Sequence, residues 1–226
     1  MPRQKKQKFD FNSFKTPAQK QYVPPYIIQN VVSTNSLGAE KMDLRDIALN
    51  HKLCEYNPQT FAAATIRILN PRSTALVFAS GNMVVTGCKS TTESRLAARK
   101  YTRIYQTLGI PVMFRKFKIQ NIVASSAAGF PIKLQDIANA YGPYVTFTPD
   151  LFPGLIFRSI NPKLVFLIFR SGKVVITGAR NVRDIKHTFN SLYLNILVRF
   201  KDNENSATSS SEYRNQLRNN RDTSDL

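Results

Sequence analysis

The chain has 226 residues, of which 42% are hydrophobic, enough for one ordinary domain or two small fused ones. Its net charge of +18 favours a polyanionic partner, because each neutralised phosphate releases counterions, although solubility alone is an alternative explanation. The two cysteines, Cys54 and Cys88, are typical of reduced thiols in an intracellular protein. No apolar run approaches the roughly 18 residues of a membrane span.

The first predicted strand and helix follow a polar N-terminal segment. Residues 1–22 are basic and lack a periodic apolar pattern, so we predict a flexible N-terminal tail. Its cluster at 3–8 fits a nuclear localisation signal, although short basic runs often match by accident. A strand is predicted over 26–32 and a short helix over 43–50.

The next segment has the pattern of a three-stranded meander. Strands are predicted over 61–69 and 73–79, separated by Asn70-Pro71. A tight turn at Ser80-Gly81-Asn82 then leads into a strand over 83–86.

The clearest helix signal begins at Ser90, where Ser90 and Glu93 fit a capping box, and ends at Gly109. Its predicted apolar face consists of Leu96, Ala97, Tyr101, Ile104 and Leu108. A strand is predicted over 112–119. A last helix is predicted over 182–197, with Ile185, Phe189, Leu192 and Ile196 on its inner side.

The chain repeats itself at a constant offset of 91 positions, as from Ile28 to Ile119. Segments 61–89 and 152–180 share Phe, Arg, Asn, Pro, Leu, Phe, Ser, Gly, Val, Thr and Gly at eleven corresponding positions. A fixed period indicates a structural unit used more than once. We therefore predict a pseudo-twofold α+β protein with repeats at 23–113 and 114–202 and a flexible C-terminal tail at 203–226.

One face of the predicted strands is apolar although no further strands remain to cover it. The alternate strand positions on this face carry Val, Leu, Phe, Thr and Asn in both repeats. An exposed apolar face of this extent usually marks an interface. The alternative is a sandwich core. Such a face suits the minor groove of A·T-rich DNA, whose floor offers acceptors to Asn and Thr and no guanine amino group.

These repeats resemble the TATA-box-binding protein family over residues 26–200. The motifs are Ile28-Gln29-Asn30-Val31-Val32-Ser33-Thr34, Glu55-Tyr56-Asn57-Pro58, Phe61-Ala62-Ala63, Ser94-Arg95-Leu96-Ala97-Ala98-Arg99-Lys100-Tyr101, Phe117-Lys118-Ile119-Gln120-Asn121, Leu151-Phe152-Pro153-Gly154-Leu155-Ile156 and Ser171-Gly172-Lys173-Val174-Val175. The resemblance implies a saddle: a curved ten-stranded antiparallel sheet with helices on its convex face. It implies a nuclear transcription initiation factor that binds TATA-type promoter DNA in the minor groove and bends it by inserting phenylalanines, as this family is known to do.

The resemblance also implies roles for individual residues. The intercalating pairs are Phe61 with Phe78 and Phe152 with Phe169. The groove-floor set is Asn30, Val32, Leu76, Val84, Thr86, Asn121, Val123, Leu167, Val175 and Thr177. The phosphate contacts are Arg67, Lys89, Arg158, Lys173 and Arg180. The protein-binding residues are Arg95, Arg99, Lys100, Arg103, Asp150 and Leu151.

The implied partners are A/T-rich promoter DNA, transcription factors IIA and IIB, TBP-associated factors and negative cofactor two, and a homodimer could form without DNA. Three departures from the family pattern stand out. The segment Ala39-Glu40-Lys41 is one residue longer, Asn82 replaces Lys, and Thr148 and Asp150 replace two glutamates, which puts recruitment of transcription factor IIB in doubt.

No catalytic chemistry is evident in the sequence. His51 and His187 lie in unrelated contexts, neither cysteine has zinc-ligand spacing, and no nucleophile–base pair or carboxylate dyad is present. We therefore predict neither an enzyme nor a cofactor. Two alternatives stay open: a glycosylase-like fold without its catalytic module, and a paralogue that acts mainly as a protein-interaction scaffold.

Overall fold

The computed structural model describes residues 9–14 and 22–203. Within them are ten strands: β1 (Ile27–Ser36), β2 (Cys54–Glu55), β3 (Ala63–Leu69), β4 (Arg72–Phe78), β5 (Asn82–Cys88), β6 (Arg115–Ala127), β7 (Val145–Thr148), β8 (Phe152–Arg158), β9 (Val165–Ile168) and β10 (Lys173–Ala179). The helices of this described part are α1 (Leu44–Asn50), α2 (Thr91–Thr107), α3 (Leu134–Ala140) and α4 (Val182–Leu192). The strands belong to one sheet in the order β2-β3-β4-β5-β1-β6-β10-β9-β8-β7, which confirms the predicted α+β class.

Contacts divide the chain into two compact units. The repeat-1 unit comprises Ile28–Val123 and Ala179–Asn181, and the repeat-2 unit comprises the remainder. This division differs from the predicted repeat boundary after residue 113, because the first part of β6 clusters with the repeat-1 unit. Among the described residues, no helix is long and apolar enough to cross a membrane.

The repeat-1 unit is built on antiparallel pairs whose register places alternate residues on one core. Ala75 pairs with Val85, and Ser33 also pairs with Val85 from the other side. These residues are fully buried. Asp43 caps α1 by accepting hydrogen bonds from the amides of Arg45 and Asp46, and this helix lies where it was predicted.

Helix α2 begins and ends at the predicted residues. The Ser90 hydroxyl accepts a 3.0 Å hydrogen bond from the Glu93 amide, and the Glu93 carboxylate accepts one of 3.1 Å from the Lys89 amide. Gly109 closes the helix at φ +78°, a conformation that favours glycine.

The predicted apolar face of α2 is wrong at one position. Leu96 is 47% exposed, whereas Tyr105 is fully buried. The buried stripe follows Ala97, Tyr101 and Tyr105 at four-residue spacing, and Leu96 lies about 100° away from Ala97 around the helix.

The repeat-2 unit contains the antiparallel ladder β10-β9-β8-β7 together with α3 and α4. Ile185, Phe189, Leu192 and Ile196 are fully buried, as the sequence predicts. The helical segment differs in one respect: α4 ends at Leu192 and continues as a π-helical turn over Tyr193–Leu197.

Part of the predicted N-terminal tail packs against the repeat-2 unit. Phe9 forms a parallel bridge with Ser159, and Phe11 is fully buried. The other residues of 1–22, apart from Tyr22, lie outside the described part of the chain, and so do the basic cluster 3–8 and residues 204–226. An isolated Phe-x-Phe carries no periodicity, so the sequence did not reveal this packing.

The longer loop at Ala39-Glu40-Lys41 lies between two backbone hydrogen bonds that both repeats form. The Leu37 amide donates to Gly81 O and the Met42 amide to Ala79 O. In the other repeat, the amides of Ala128 and Ile132 donate to Gly172 O and Arg170 O. The first loop thus spans one residue more, and both of its ends keep their contacts.

Candidate nucleic-acid interface

The strand parity predicted to form an interface is partly exposed, whereas the opposite parity is buried. Along β4, Ala75 and Val77 are fully buried, whereas Leu76 and Phe78, which alternate with them, are partly exposed. The partly exposed residues of this parity are Asn30, Val32, Leu76, Phe78, Val84, Thr86, Asn121, Val123, Leu167, Phe169, Val175 and Thr177. Each unit therefore leaves a mainly apolar sheet face accessible.

Two phenylalanine pairs have nearly the same geometry. The rings of Phe61 and Phe78 lie 6.3 Å apart at 65°, and those of Phe152 and Phe169 lie 5.9 Å apart at 67°. Phe61 is 49% exposed, which is unusual for a phenylalanine outside an interface. Each unit thus presents one edge-to-face aromatic pair at the partly exposed face.

Gly154 makes room for the second phenylalanine pair. A Cβ at this position would lie 2.7 Å from Phe152 Cε1 and 3.0 Å from Phe169 Cε1. Any side chain there would displace both rings. The sequence analysis assigned no role to this glycine, although its place in the Phe-Pro-Gly motif was visible.

The Asn30 amide is held in one orientation by its neighbours. Its Oδ1 accepts a 2.8 Å hydrogen bond from the Gly87 amide, and its Nδ2 lies 3.1 Å from Thr86 Oγ1. Because Oδ1 is occupied by a backbone donor, the amide group offers N–H donors at the exposed side of the strand. Asn30 and Thr86, both named among the groove-floor residues, are therefore in direct contact.

The two units do not contain equal numbers of the predicted groove-floor residues. Asn30, Val32, Asn121 and Val123 lie on β1 and on the part of β6 that clusters with the repeat-1 unit. Leu167, Val175 and Thr177 lie in the repeat-2 unit, at the positions that correspond to Leu76, Val84 and Thr86.

The predicted phosphate contacts differ in their surroundings. Lys89, Lys173 and Arg180 are exposed. Arg67 instead donates from Nη1 to Glu55 Oε1 at 2.7 Å, and this hydrogen bond raises the pKa of the Arg67 guanidinium. The register between β2 and β3 places Glu55 near Arg67, because Glu55 pairs with Thr65, two residues before Arg67. The sequence analysis missed this pairing. Asn82 donates to Ser80 Oγ and supplies no charge.

The exposed arginines of α2 are supported by aromatic rings. Arg95 Cζ lies 5.1 Å from the centre of the Phe117 ring, and Arg99 Cζ lies 5.6 Å from that of Phe114. Lys100 Nζ donates to Asn70 O at 2.7 Å. The sequence analysis missed both rings, and their contacts explain why this part of the chain clusters with the repeat-1 unit.

The other residues predicted to bind proteins lie in a turn between β7 and β8. Thr148, Asp150 and Leu151 are exposed, and Leu151 is 86% exposed. The Leu151 amide donates to Thr148 O at 3.0 Å, which fixes the turn. An apolar side chain at this exposure is available for contact with a partner.

The partly exposed face combines phenylalanine rings, aliphatic side chains and the oriented amide of Asn30. Exposed lysine and arginine side chains lie on the same units. This set matches the chemistry of the minor groove, where A·T pairs offer only acceptors and where apolar wedges can separate base steps. Among the described residues, no group of three or more His, Cys, Asp or Glu side chains is placed to hold a metal ion.

Comparison with known proteins agrees with this chemistry. The family described as "Transcription factor TFIID (or TATA-binding protein, TBP)" matches residues 25–108 and 116–199. The rat "TATA box-binding protein-like 2" is 54% identical over 174 residues, which cover 77% of this chain and 50% of that protein. The Caenorhabditis elegans "TATA-box-binding protein" is 51% identical over 178 residues, covering 79% of this chain and 52% of that protein.

This chain therefore spans about half the length of these two relatives. A solved structure, "Methanococcus jannaschii TBP", is 36% identical with a TM-score of 0.68, and the match covers 75% of this chain and 97% of that one. The family match extends over most of the chain and includes both repeats. The chain belongs to the TATA-binding protein family.

Proposed function

We propose that this chain is a general transcription initiation factor that binds A/T-rich promoter DNA through its partly exposed sheet face. The phenylalanine pairs enter base steps and kink the duplex, and Asn30, Thr86 and their counterparts Asn121 and Thr177 contact acceptors on the groove floor. Val32, Val123 and the paired Leu and Val residues exclude the guanine amino group.

The observation that carries this proposal is the duplicated aromatic pair on an accessible apolar face. Two pairs with matching ring geometry present the same wedge twice. A wedge at each end of a site produces a bend that brings more of the protein into contact with DNA.

Charge supports the same function. The net charge of +18 attracts the duplex, and Lys89, Arg158, Lys173 and Arg180 are the proposed phosphate contacts. Phosphate contacts supply affinity and register without reading sequence, so A/T preference must come from the apolar face.

The test is binding to two duplexes that differ only in their central base pairs, A/T-rich in one and G/C-substituted in the other. Affinity is measured by fluorescence anisotropy, and bending by energy transfer between labelled ends. We expect tighter binding and a bend on the A/T duplex only. Equal affinity for both duplexes, or binding without a bend, contradicts the proposal.

We further propose that the exposed surfaces recruit protein regulators in the nucleus. The arginines Arg95, Arg99 and Arg103 offer bidentate donors to carboxylates, and the rings below Arg95 and Arg99 limit their motion. Transcription factor IIA and negative cofactor two are the proposed partners of this helix, with Lys100 beside it. Transcription factor IIB is the proposed partner of Asp150 and Leu151, and TBP-associated factors complete the set.

Charge reversal tests the helix surface. In Arg95→Glu, Arg99→Glu, Arg103→Glu, we expect regulator recruitment on promoter DNA to be lost while binary DNA binding stays within about threefold. The cation–π contacts are each worth about 0.5–1 kcal/mol, so a small loss of stability accompanies the change.

A matched control carries Lys41→Glu, Arg45→Glu and Lys52→Glu, three exposed cations of the same unit. Gel-shift assays with added regulators compare the two variants. Normal recruitment by the helix variant, or equal loss in both, contradicts this assignment.

A further inference from the structure

The segment 9–14, here called the strap, joins the repeat-2 unit through an isolated backbone bridge at Phe9, and its residues Phe11–Ser13 form a 3-10 helix. The Phe9 amide donates to Arg158 O at 3.0 Å, and the Ile160 amide donates to Phe9 O at 2.9 Å. These two bonds form the parallel bridge between Phe9 and Ser159, beyond the end of β8. Strand addition at a sheet margin is a common way for a protein to bind a peptide, because backbone hydrogen bonds give affinity independent of sequence.

The side chains of the strap fill an aromatic groove, defined here as Tyr141, Tyr144, Phe157, Phe166 and Ser191. The Phe9 ring lies 5.1 Å from Tyr144, 5.7 Å from Tyr141 and 5.5 Å from Phe157, each in an edge-to-face arrangement. These geometries are the preferred ones for aromatic pairs. Phe9 therefore occupies a site with three specific ring partners.

Phe11 lies deeper in the same groove. It is fully buried, with ring centres 5.3 Å from Phe157 and 5.7 Å from Phe166. Its carbonyl oxygen accepts a 3.3 Å hydrogen bond from Ser191 Oγ. Phe9 at the bridge and Phe11 at the start of the 3-10 helix thus both place their rings in the groove.

The strap then folds back on itself. The Ser13 amide donates to Asp10 O and the Phe14 amide to Phe11 O, in a 3-10 turn. The Phe14 ring lies over those of Phe9 and Phe11. Six consecutive residues therefore contain the backbone bridge, the two rings that enter the groove and the Phe14 ring that packs on them. A short peptide thus carries everything that the groove recognises.

The groove faces away from the proposed DNA interface within its own unit. Phe157 and Phe166 belong to the buried parity of β8 and β9, whereas Ile156 and Leu167 belong to the partly exposed parity. Occupation of the groove and binding of DNA therefore use opposite sides of the same strands.

Attachment to the chain keeps the strap in place. Ordering six residues has a large entropic cost, and two buried rings offset only part of it. The link over 15–21 makes docking intramolecular, at an effective concentration in the millimolar range. A competing segment in trans therefore needs only somewhat better contacts, or a higher local concentration, to replace the strap.

We propose that this groove is a peptide-docking site for partner proteins and that the strap is its resident occupant. The partner presents a segment with phenylalanines at positions i and i+2, the pattern of Phe9 and Phe11, and turns after the first of them as the strap does. Its backbone pairs with Arg158 and Ile160 as the strap does, and its rings replace those of Phe9 and Phe11. The repeat-2 unit thereby offers a protein-binding surface that is separate from its DNA-facing side.

The experiment uses the full chain and a labelled synthetic peptide of residues 7–16. The variant Phe9→Ala with Phe11→Ala vacates the groove. We expect the peptide to bind this variant at least tenfold more tightly than the wild-type chain, by fluorescence anisotropy. A peptide with both phenylalanines replaced by alanine is expected not to bind. Equal binding to both proteins, or no binding to the variant at millimolar peptide, overturns the proposal.

Two controls keep the result interpretable. The Phe14 ring packs on those of Phe9 and Phe11, so the matched variant Phe14→Ala keeps both rings that enter the groove and is expected to exclude the peptide as the wild type does. A/T-rich DNA binding within about twofold of wild type reports that the double variant is folded. If the double variant fails that check, Phe9→Ala alone replaces it, because this change leaves Phe11 in the core.

Hydrogen exchange on the wild-type chain gives a second measurement. The Ile160 amide donates to Phe9, so we expect it to exchange slowly in the wild type, faster in the variant, and slowly again when peptide is added. Fast exchange in the wild type overturns the resident role of the strap. Peptide-independent dimers of the wild-type chain in analytical ultracentrifugation, lost in the double variant, would assign the groove to a second copy and overturn the choice of a separate partner.

Discussion

The two repeats agree closely on one side of their strands and differ on the other. On the partly exposed side, the phenylalanine pairs differ by 0.4 Å in ring separation and 2° in angle, from 6.3 Å and 65° to 5.9 Å and 67°. On the buried side, Ala75 corresponds to Phe166, and Ile66 to Phe157. A surface that meets the same partner twice is constrained residue by residue, whereas a core must only keep its volume and satisfy its polar groups.

The buried differences compensate one another. In the repeat-1 unit, the Tyr101 hydroxyl donates to Ser73 O at 2.8 Å and lies 3.2 Å from Ser73 Oγ. The corresponding residues in the repeat-2 unit are Leu192 and Leu164, both buried and both apolar. A polar pair in one repeat corresponds to an apolar pair in the other, so neither repeat leaves a buried polar group unpartnered at these two positions.

The volumes compensate as well. The repeat-1 unit places its large rings, Tyr101 and Tyr105, on the helix and small Ala75 in the sheet. The repeat-2 unit places large rings in the sheet, at Phe157 and Phe166, and adds Phe11 from the strap. One core thus takes large rings from its helix α2, whereas the other takes them from its sheet, from α4 at Phe189 and from the strap.

The largest expected effect tests the equality of the two aromatic pairs. Phe61→Ala with Phe78→Ala and Phe152→Ala with Phe169→Ala are expected to weaken DNA binding similarly, by about 1–3 kcal/mol per ring, by analogy with base–aromatic stacking. Both variants are expected to bend DNA less, because a kink at each end needs its own wedge. Anisotropy and energy transfer provide the measurements. A variant that keeps the wild-type bend contradicts intercalation by that pair.

The next effect tests two buried tyrosine hydroxyls of the repeat-1 unit, Tyr101 and Tyr105, whose counterparts at an offset of 91 are Leu192 and Ile196. Tyr101→Phe is expected to lower the free energy of unfolding by about 1–3 kcal/mol, since the hydrogen bonds between the Tyr101 hydroxyl and Ser73 are lost. Tyr105→Phe is the matched control, because the buried Tyr105 hydroxyl has no hydrogen-bond partner in the structure. This change is expected to be neutral or stabilising. Urea unfolding measures both, and equal destabilisation would contradict the assignment.

The same tyrosines determine the alkaline limit of stability. Burial raises the pKa of both the Tyr101 and Tyr105 hydroxyls above their usual value of 10.0. Because the folded-state pKa exceeds the unfolded one, their stabilising contribution is complete below pH 10 and decreases above it. Tyr105→Phe is therefore expected to reduce the loss of stability between neutral pH and pH 11.

The smallest effect distinguishes the two arginines at corresponding positions. Arg67 is paired with Glu55, whereas Thr146 replaces that glutamate in the other repeat. We expect Arg158→Ala to lower the salt slope of DNA binding by about 0.9, the value for one phosphate, and Arg67→Ala to lower it less. Glu55→Gln is expected to restore the full contribution of Arg67. Equal slopes for the two alanine variants would show that Glu55 releases Arg67 on binding.

Much of the fold and the proposed DNA interface could be predicted from the chain. The exposed parity, the recurrence of the phenylalanines and the ends of α2 follow from strand alternation, from the offset of 91 and from capping residues. The pairing of the phenylalanines was implied by the family resemblance.

The features that the sequence did not predict are contacts between segments that lie far apart in the chain. These segments carry no periodic or repeated sequence pattern. The strap contacts residues more than 130 positions away, Arg67 meets Glu55 through the β2–β3 register, and the rings under Arg95 and Arg99 come from beyond the predicted repeat boundary. The sequence by itself determined which surface is repeated, since identical residues recur at a fixed offset along the chain. Packing alone decided how each core is filled, because many combinations of side chains can fill the same volume.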